Sequence, residues 1–322
     1  MSAQSGLSCR HAFTRTLAEI AATDPLVYAV TSDARGSVTL GDFARDYPGQ
    51  FVETGIAEQN ATGIAAGLAL SGKNVFLCGP ACFYSARAVE QVKNDIAYAN
   101  ANVTVLGVSG GVSYGALGST HHSLHDIALY RAVPNLAVVL PADYEETVAA
   151  TRALAAHHGP AYVRMGRGAV PDVYEPGTCR FELGKANVLA EGNECAILAC
   201  GEALSHAVGA ARLLEEQGVS CSVVDVHSVK PLDRETILDV CAGARVVLTV
   251  EEHSVYGGLG GAVAELLATN RPMPMAIIGF PDEFMPAGDS SELFDFVGIR
   301  ADKIAENAMR LLESVSAHGA RR

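Results

Sequence analysis

Two α/β domains, each a mainly parallel sheet covered by helices, are predicted by three observations. Short apolar runs alternate with longer stretches whose apolar residues recur at helical spacing. The short runs are apolar on both faces, as strands buried between helices are. A stretch with Gly168, Pro171, Pro176 and Gly177, and no apolar periodicity, interrupts the alternation. The chain of 322 residues suits roughly two domains of about 150 residues. The division predicted is 1–167, a linker at 168–180, and 181–322.

In order, residues 9–22 carry Ala12, Phe13, Leu17, Ile20 and Ala21 on one helix face. Leu26–Val30 is a buried strand ending in the polar loop Thr31–Ser37. Such a loop, at the carboxyl end of a parallel strand, is where open α/β sheets bind ligands. Phe51-Val52 begins the next strand, and a helix rich in small residues follows Glu58. Gly63 and Gly67 share one face of it and would let another backbone come close. Asn74–Cys78 is a strand, and Phe83 to Ile96 a helix. Val103–Val108 leads into a Gly- and Ser-rich loop, and Asp126–Val133 is helical. Ala137–Leu140 is a strand, a helix runs from Pro141 to about Ala156, and Ala161–Met165 closes the half. In the second half, strands are expected at Cys195–Gly201, Ser222–Val226, Arg245–Glu251 and Met275–Ile278. Helices are expected at Ala203–Gln217, Ala262–Ala268 and Ala301–Glu313.

Composition narrows the function. Apolar residues make up 49% of the chain and charged residues 18%, so large cores can form. A net charge of -13 without a basic run argues against nucleic acid or an anionic membrane as partner. The eight cysteines show neither Cys-x-x-Cys nor zinc-finger spacing, and buried free thiols fit a reducing cytoplasm. Met1–Gly6 has no apolar signal core, and no apolar run reaches about 18 residues, so no membrane span is expected.

Chemistry concentrates in two stretches. Glu53-Thr54-Gly55-Ile56-Ala57-Glu58-Gln59-Asn60 puts a carboxylate at the start of an almost wholly apolar helix. That acid is either a cap favoured by the helix dipole or a buried acid held for chemistry. The loop Ser109–Asp126 has glycines at 110, 111, 115 and 118 and histidines at 121, 122 and 125. A mobile surface loop, a zinc site and a substrate-facing histidine are its three readings. Gly257–Gly261 departs from Gly-x-Gly-x-x-Gly at the third glycine, which weakens a dinucleotide reading.

Glu-Thr-Gly-Ile-Ala-Glu58-Gln-Asn resembles the pyrimidine-binding signature of transketolase-like thiamine diphosphate enzymes. The resemblance implies that Glu58 hydrogen-bonds the cofactor's aminopyrimidine and favours the imino tautomer. The nitrogen of that tautomer takes the proton from the thiazolium carbon. A carboxyl in an apolar pocket suits the task. In the same family pattern Phe83 stacks on the pyrimidine. Arg87 and Asp33 lie near the cofactor. Gly118-Ser119-Thr120-His121-His122 resembles the family's Gly-x-Thr-His-Gln, with His121 facing substrate as proton carrier. His122, Ser109, Arg167, Arg10 and Ser37 match substrate positions, with Arg167 at a sugar phosphate. Glu251–Gly258 and Lys230–Asp233 resemble the family's carboxyl-terminal domain.

Two departures qualify the match. Leu117 stands where transketolases carry an acid, and Ser109 where they carry a histidine. A hydroxyl-binding site loses much when its partner is apolar, so a deoxy, branched or otherwise modified substrate is expected. No Gly-Asp-Gly occurs in the chain. The diphosphate, with its Mg2+ or Ca2+, is therefore expected to be held by an N-terminal transketolase subunit, in a heterotetramer in which this chain also self-associates. No metal site is expected in this chain. The β subunit of a 2-oxo acid dehydrogenase and a non-catalytic scaffolding subunit are the competing readings.

Overall fold

The computed structural model describes residues 8–319. The Met1–Gly6 stretch read above for a signal core lies outside them. Six strands come first: β1 (Val27–Thr31), β2 (Phe51–Glu53), β3 (Asn74–Pro80), β4 (Val103–Val108), β5 (Ala137–Val139) and β6 (Ala161–Met165). Helices α1 (Cys9–Ala21), α2 (Gly41–Asp46), α3 (Glu58–Leu70), α4 (Ala81–Ala86), α5 (Val89–Gln91), α6 (Asp126–Arg131) and α7 (Tyr144–Ala156) accompany them. After the linker come β7 (Asn187–Ala190), β8 (Cys195–Ala199), β9 (Cys221–Asp225), β10 (Ser228–Lys230), β11 (Val246–Ser254) and β12 (Met275–Phe280). Their helices are α8 (Leu204–Glu216), α9 (Arg234–Gly243), α10 (Leu259–Asn270), α11 (Ser290–Val297) and α12 (Ala301–Gly319).

The first sheet has the order β10-β5-β6-β4-β3-β1-β2 and the second β12-β11-β8-β9-β7. Both are parallel except at one edge, where β10 and β7 run antiparallel to their neighbours. Alternation along the strands divides the core. On one face of the first sheet, Phe76 and Leu106 meet Phe13 and Leu17 of α1. On the other, Leu77, Val105 and Tyr162 join a cluster that runs on into Leu198, Val224 and Leu259 of the second half. The two domains thus share one core. The outer face of the second sheet packs under α8 and α12. Each fully buried Leu or Phe contributes about 1.5–3 kcal/mol.

Several elements differ from the sequence reading. β10 comes from the second half of the chain but completes the first sheet. Three residues before Pro231 are too few to display alternation. β7 and α11 were also not foreseen. The single helix expected from Phe83 to Ile96 is broken at Ala88 (φ -109, ψ 11) and ends in a π-helical stretch, Val92–Tyr98. α10 begins at Leu259 rather than Ala262. The expectation that Gly63 and Gly67 admit a close backbone is not met within this chain: a Cβ at either meets nothing within 4 Å. Seven cysteines are buried, Cys179 is half-buried, and all eight are free. No helix among the described residues is long and apolar enough to cross a membrane.

Candidate active site

Parallel strands bring their carboxyl ends to one edge of the first sheet, and the loops there carry the candidate residues. β1 leads to Ser32–Ser37, β2 to Gly55 and α3, β3 to α4, β4 to the loop 109–126, and β6 to Arg167. Asp33 and Ser109, directly after β1 and β4, both have left-handed backbone (φ 54 and 59). Left-handed backbone is costly for a residue with a side chain, less so for Asp than for Ser.

Glu58 opens α3 and is 3% exposed. It does not act as the cap considered above: the N-cap is Ala57, and no N–H of the helix donates to the Glu58 carboxylate among the described residues. Instead Arg87 Nη1 donates to Glu58 Oε2 at 2.7 Å. The helix break at Ala88 leaves Arg87 as the C-cap of α4, half-exposed and able to reach across. Its guanidinium lies 4.7 Å from the Phe83 ring centroid, a cation–π contact. Phe83 in turn meets His121 edge-on, centroids 5.5 Å apart.

From His121 the contacts continue. Thr120 Oγ1 lies 3.0 Å from His121 Nδ1. Tyr114 packs edge-on against the same imidazole, centroids 5.7 Å apart, and donates its hydroxyl to Ser37 Oγ at 3.0 Å. Arg167 covers the other part of the Tyr114 ring, 4.7 Å from its centroid. Arg10, at the start of α1, donates to the Ser37 carbonyl at 2.9 Å. Burial, and then the neighbouring charge of Arg167, push the Arg10 pKa down. Neither arginine forms an ion pair among the described residues. Two guanidinium groups close together without a carboxylate form a place for an anion.

Asp33 is exposed and less tightly tied. Its N–H donates to Glu53 Oε1 at 2.7 Å, and Gly55 N–H donates to the same oxygen at 3.1 Å. Glu53 thereby straps the ends of β1 and β2 together. Ser32 Oγ lies 3.1 Å from the Tyr84 hydroxyl and ties the same loop to α4.

Two expected substrate contacts are not on this open face. Ser109 is fully buried, and its hydroxyl finds no partner among the described residues. His122 is 5% exposed, with Nε2 3.3 Å from the Gly115 carbonyl. Burial pushes the His122 pKa down, so the ring is neutral near pH 7. Leu117 is exposed. The three histidines do not converge, and no group of three or more His, Cys, Asp or Glu among the described residues could hold a metal ion.

Sequence reasoning missed Tyr114 and Glu53. A lone aromatic inside a glycine-rich loop was the available signal for Tyr114, since such a ring needs a partner to pack on. The Gly257–Gly261 run is accounted for differently. Glu251 Oε2 and Oε1 accept the N–H groups of Leu259 and Gly260 at 2.7 and 2.8 Å. The chain's own carboxylate thus occupies the donors that a nucleotide phosphate would use.

Residues 5–173 match the family described as transketolase, pyrimidine binding domain, and residues 184–304 that described as transketolase, C-terminal domain. The chain is 52% identical over 307 residues to one of the subunits of the apulose-4-phosphate transketolase of Phocaeicola vulgatus, across 95% of this chain and 98% of the relative. The 6-deoxy-6-sulfo-D-fructose transketolase subunit SqwH of Clostridium sp. (strain MSTE9) is 35% identical over 304 residues, 94% of each chain. A solved structure titled as a split gene transketolase, inactive beta4 tetramer, aligns with TM-score 0.87 at 36% identity, over 96% of this chain and 99% of that one. Relatives of this kind do not favour a 2-oxo acid dehydrogenase β subunit. The chain belongs to the transketolase family, as one subunit of a split thiamine diphosphate-dependent transketolase, and comprises the pyrimidine-binding and C-terminal domains.

Proposed function

We propose that this chain supplies the pyrimidine and substrate half of an enzyme that moves a two-carbon ketol unit from a phosphorylated ketose to an aldose. The partner is an N-terminal, diphosphate-binding transketolase subunit in a cytoplasmic heterotetramer, and it holds most of the Mg2+ or Ca2+ site. The observation that carries the reading is the unbroken run of contacts from Glu58 through Arg87, Phe83, His121 and Tyr114 to Arg167, Ser37 and Arg10.

The donor set fits an aminopyrimidine: a buried carboxylate, an aromatic face beside it, and a guanidinium already hydrogen-bonded to the acid. Thiamine diphosphate, when bound, supplies the carbon nucleophile and the electron sink. Glu58 would hydrogen-bond a ring nitrogen of the cofactor, beside Arg87, which is half in solvent. Phe83 would orient the ring by stacking. Thr120 engages Nδ1 of His121 and leaves Nε2 for a substrate oxygen, where the imidazole takes or gives a proton. Arg167 and Arg10 hold the phosphate and fix the far end of the sugar. Asp33 stands at the cofactor end of the edge. The exposed Leu117 replaces a hydroxyl-binding acid, so the favoured donor is a modified sugar, and apulose 4-phosphate is the first to test.

The test is reconstitution with the partner subunit, thiamine diphosphate and Mg2+, against a panel of phosphorylated and unphosphorylated ketoses and against pyruvate. Ketol transfer from a phosphorylated ketose in the mixture, and in neither chain alone, is the expected result. Decarboxylation of pyruvate without ketol transfer would overturn the reading.

A further inference from the structure

The loop that carries Tyr114 and His121 belongs by sequence to the first domain, yet the second domain holds its backbone. At the neck of the loop, Gly111 N–H donates to the Ser123 carbonyl at 3.1 Å and Ser123 N–H to the Gly111 carbonyl at 2.7 Å. Just beyond, Val112 N–H donates to Glu252 Oε1 of β11 at 2.8 Å. The other Glu252 oxygen is paired at 3.0 Å with Arg164 Nη2, which also donates to the Glu252 carbonyl at 2.7 Å. Gly110 and Gly111 lie directly on this buried pair. A Cβ on Gly110 would stand 2.1 Å from Arg164 Nε, and one on Gly111 2.1 Å from Glu252 Cδ.

Further along, the turn after β12 and the first residue of α11 grip the loop. Ser290 Oγ donates to the Val112 carbonyl at 2.9 Å, and Gly288 N–H to the Gly115 carbonyl at 3.2 Å. Ser119 Oγ donates to the Met285 carbonyl at 2.7 Å. A Cβ on Gly115 would come within 2.1 Å of the Gly288 oxygen. On leaving, the Leu124 carbonyl accepts from Ser254 N–H of β11 at 2.9 Å. The division is consistent: backbone groups of 112, 115 and 124 are held by the second domain, while the Tyr114 and His121 rings face Phe83, Ser37 and Arg167 of the first.

We propose that Glu252 and Ser290 are positioning residues that set the active-site loop, and through it the place of His121 relative to Phe83 and Glu58. The inference rests on the substrate-facing role given to His121 above. Two independent anchors are needed because a glycine-rich loop is otherwise free to sample many backbone states. In a folded variant that lacks either anchor the imidazole is free to wander, and small misplacements cost rate rather than affinity.

The experiment uses the full chain with its partner subunit and the variants Glu252→Ala, Ser290→Ala and Ser290→Thr. Backbone hydrogen exchange over residues 112–121, followed by mass spectrometry, needs no activity. It is expected to accelerate about tenfold in Glu252→Ala, which leaves the Val112 N–H without its acceptor, and in Ser290→Ala. The kcat should fall about tenfold or more, with KM and thiamine diphosphate affinity within about twofold of wild type. Ser290→Thr, which keeps the hydroxyl, should restore both. Glu252→Ala also removes one of the two acids at Arg164, Asp126 remaining at 3.5 Å; where that variant does not fold, the Ser290 pair carries the test alone. Unchanged exchange in folded Ser290→Ala, or a loss of kcat that Ser290→Thr does not restore, overturns the proposal. His121→Ala separates the two readings. An active His121→Ala, beside fast exchange and low kcat in the Ser290→Ala variant, removes the role of His121 and leaves the hold on the loop standing.

Discussion

Glu58 starts a helix without capping it, and its carboxylate turns away from the helix N-terminus. A carboxylate at this place satisfies orphan N–H groups at little cost, yet here it turns to Arg87 at 2.7 Å. The first turn of α3 therefore forgoes a local benefit, as functional sites do. At the opposite end of the run, Arg167 stacks on Tyr114 and its charge is felt by Arg10, and neither arginine forms an ion pair among the described residues. Charge-assisted hydrogen bonds to a phosphate are worth about 1.5–3 kcal/mol, so Arg167→Ala should raise KM for a phosphorylated donor by about tenfold to a hundredfold. Its kcat should stay within about threefold, and KM for an unphosphorylated donor should not move. Steady-state kinetics on the reconstituted enzyme check this. Glu58, Phe83 and His121 were legible in the sequence because each sits in a short motif with fixed neighbours. Tyr114 was not, because its partners come from residues 37, 121 and 167, and only the fold brings them to one edge.

At the scale of elements, glycines separate into those that the fold demands and those that it tolerates. Gly111 has φ +57 and lies on the Glu252 carboxylate, so both backbone and space exclude a side chain. Gly111→Ala is expected to lower stability by about 2 kcal/mol or more. Gly63 lies in α3 with nothing within 4 Å of its Cβ position. Gly63→Ala should raise stability of the isolated chain by about 0.5–1 kcal/mol, because alanine loses less backbone entropy in a helix. Urea midpoints of opposite displacement check the pair. Periodicity revealed the long elements well, since α1, β3, β4 and α7 have apolar patterns of sufficient length. It failed where elements are short or broken. β10 has three residues. The break at Ala88 carries no proline or glycine to announce it, although it frees Arg87 to reach Glu58.

Across the whole molecule, the second domain completes the first sheet through β10, shares its core and holds the loop 109–126. This joint is also rich in buried acid. Burial pushes Glu251 up to about 7, and burial with the nearby Glu252 charge pushes Glu202 up to about 8. Such acids bind protons more tightly folded than unfolded, so their stabilising contribution is complete at low pH and lost as pH rises through 7 and 8. His227 and His253, pushed down by burial to about 4, act in the opposite sense, and their effect is complete above their ordinary value of about 6.5. Thermal stability should therefore fall by a few degrees between about pH 6.5 and 8.5. Glu202→Gln, which still accepts the Gly166 N–H, should flatten the slope in a series of melting curves. The central claim is that this chain owns the acid that activates the cofactor while another chain completes the site. Hydrogen–deuterium exchange at the thiazolium carbon of bound thiamine diphosphate measures it most directly, with each chain alone and with the two mixed. The account predicts rapid exchange in the mixture only, slowed about a hundredfold or more by Glu58→Gln. Rapid exchange in the Glu58→Gln complex, or in the partner without this chain, would contradict it.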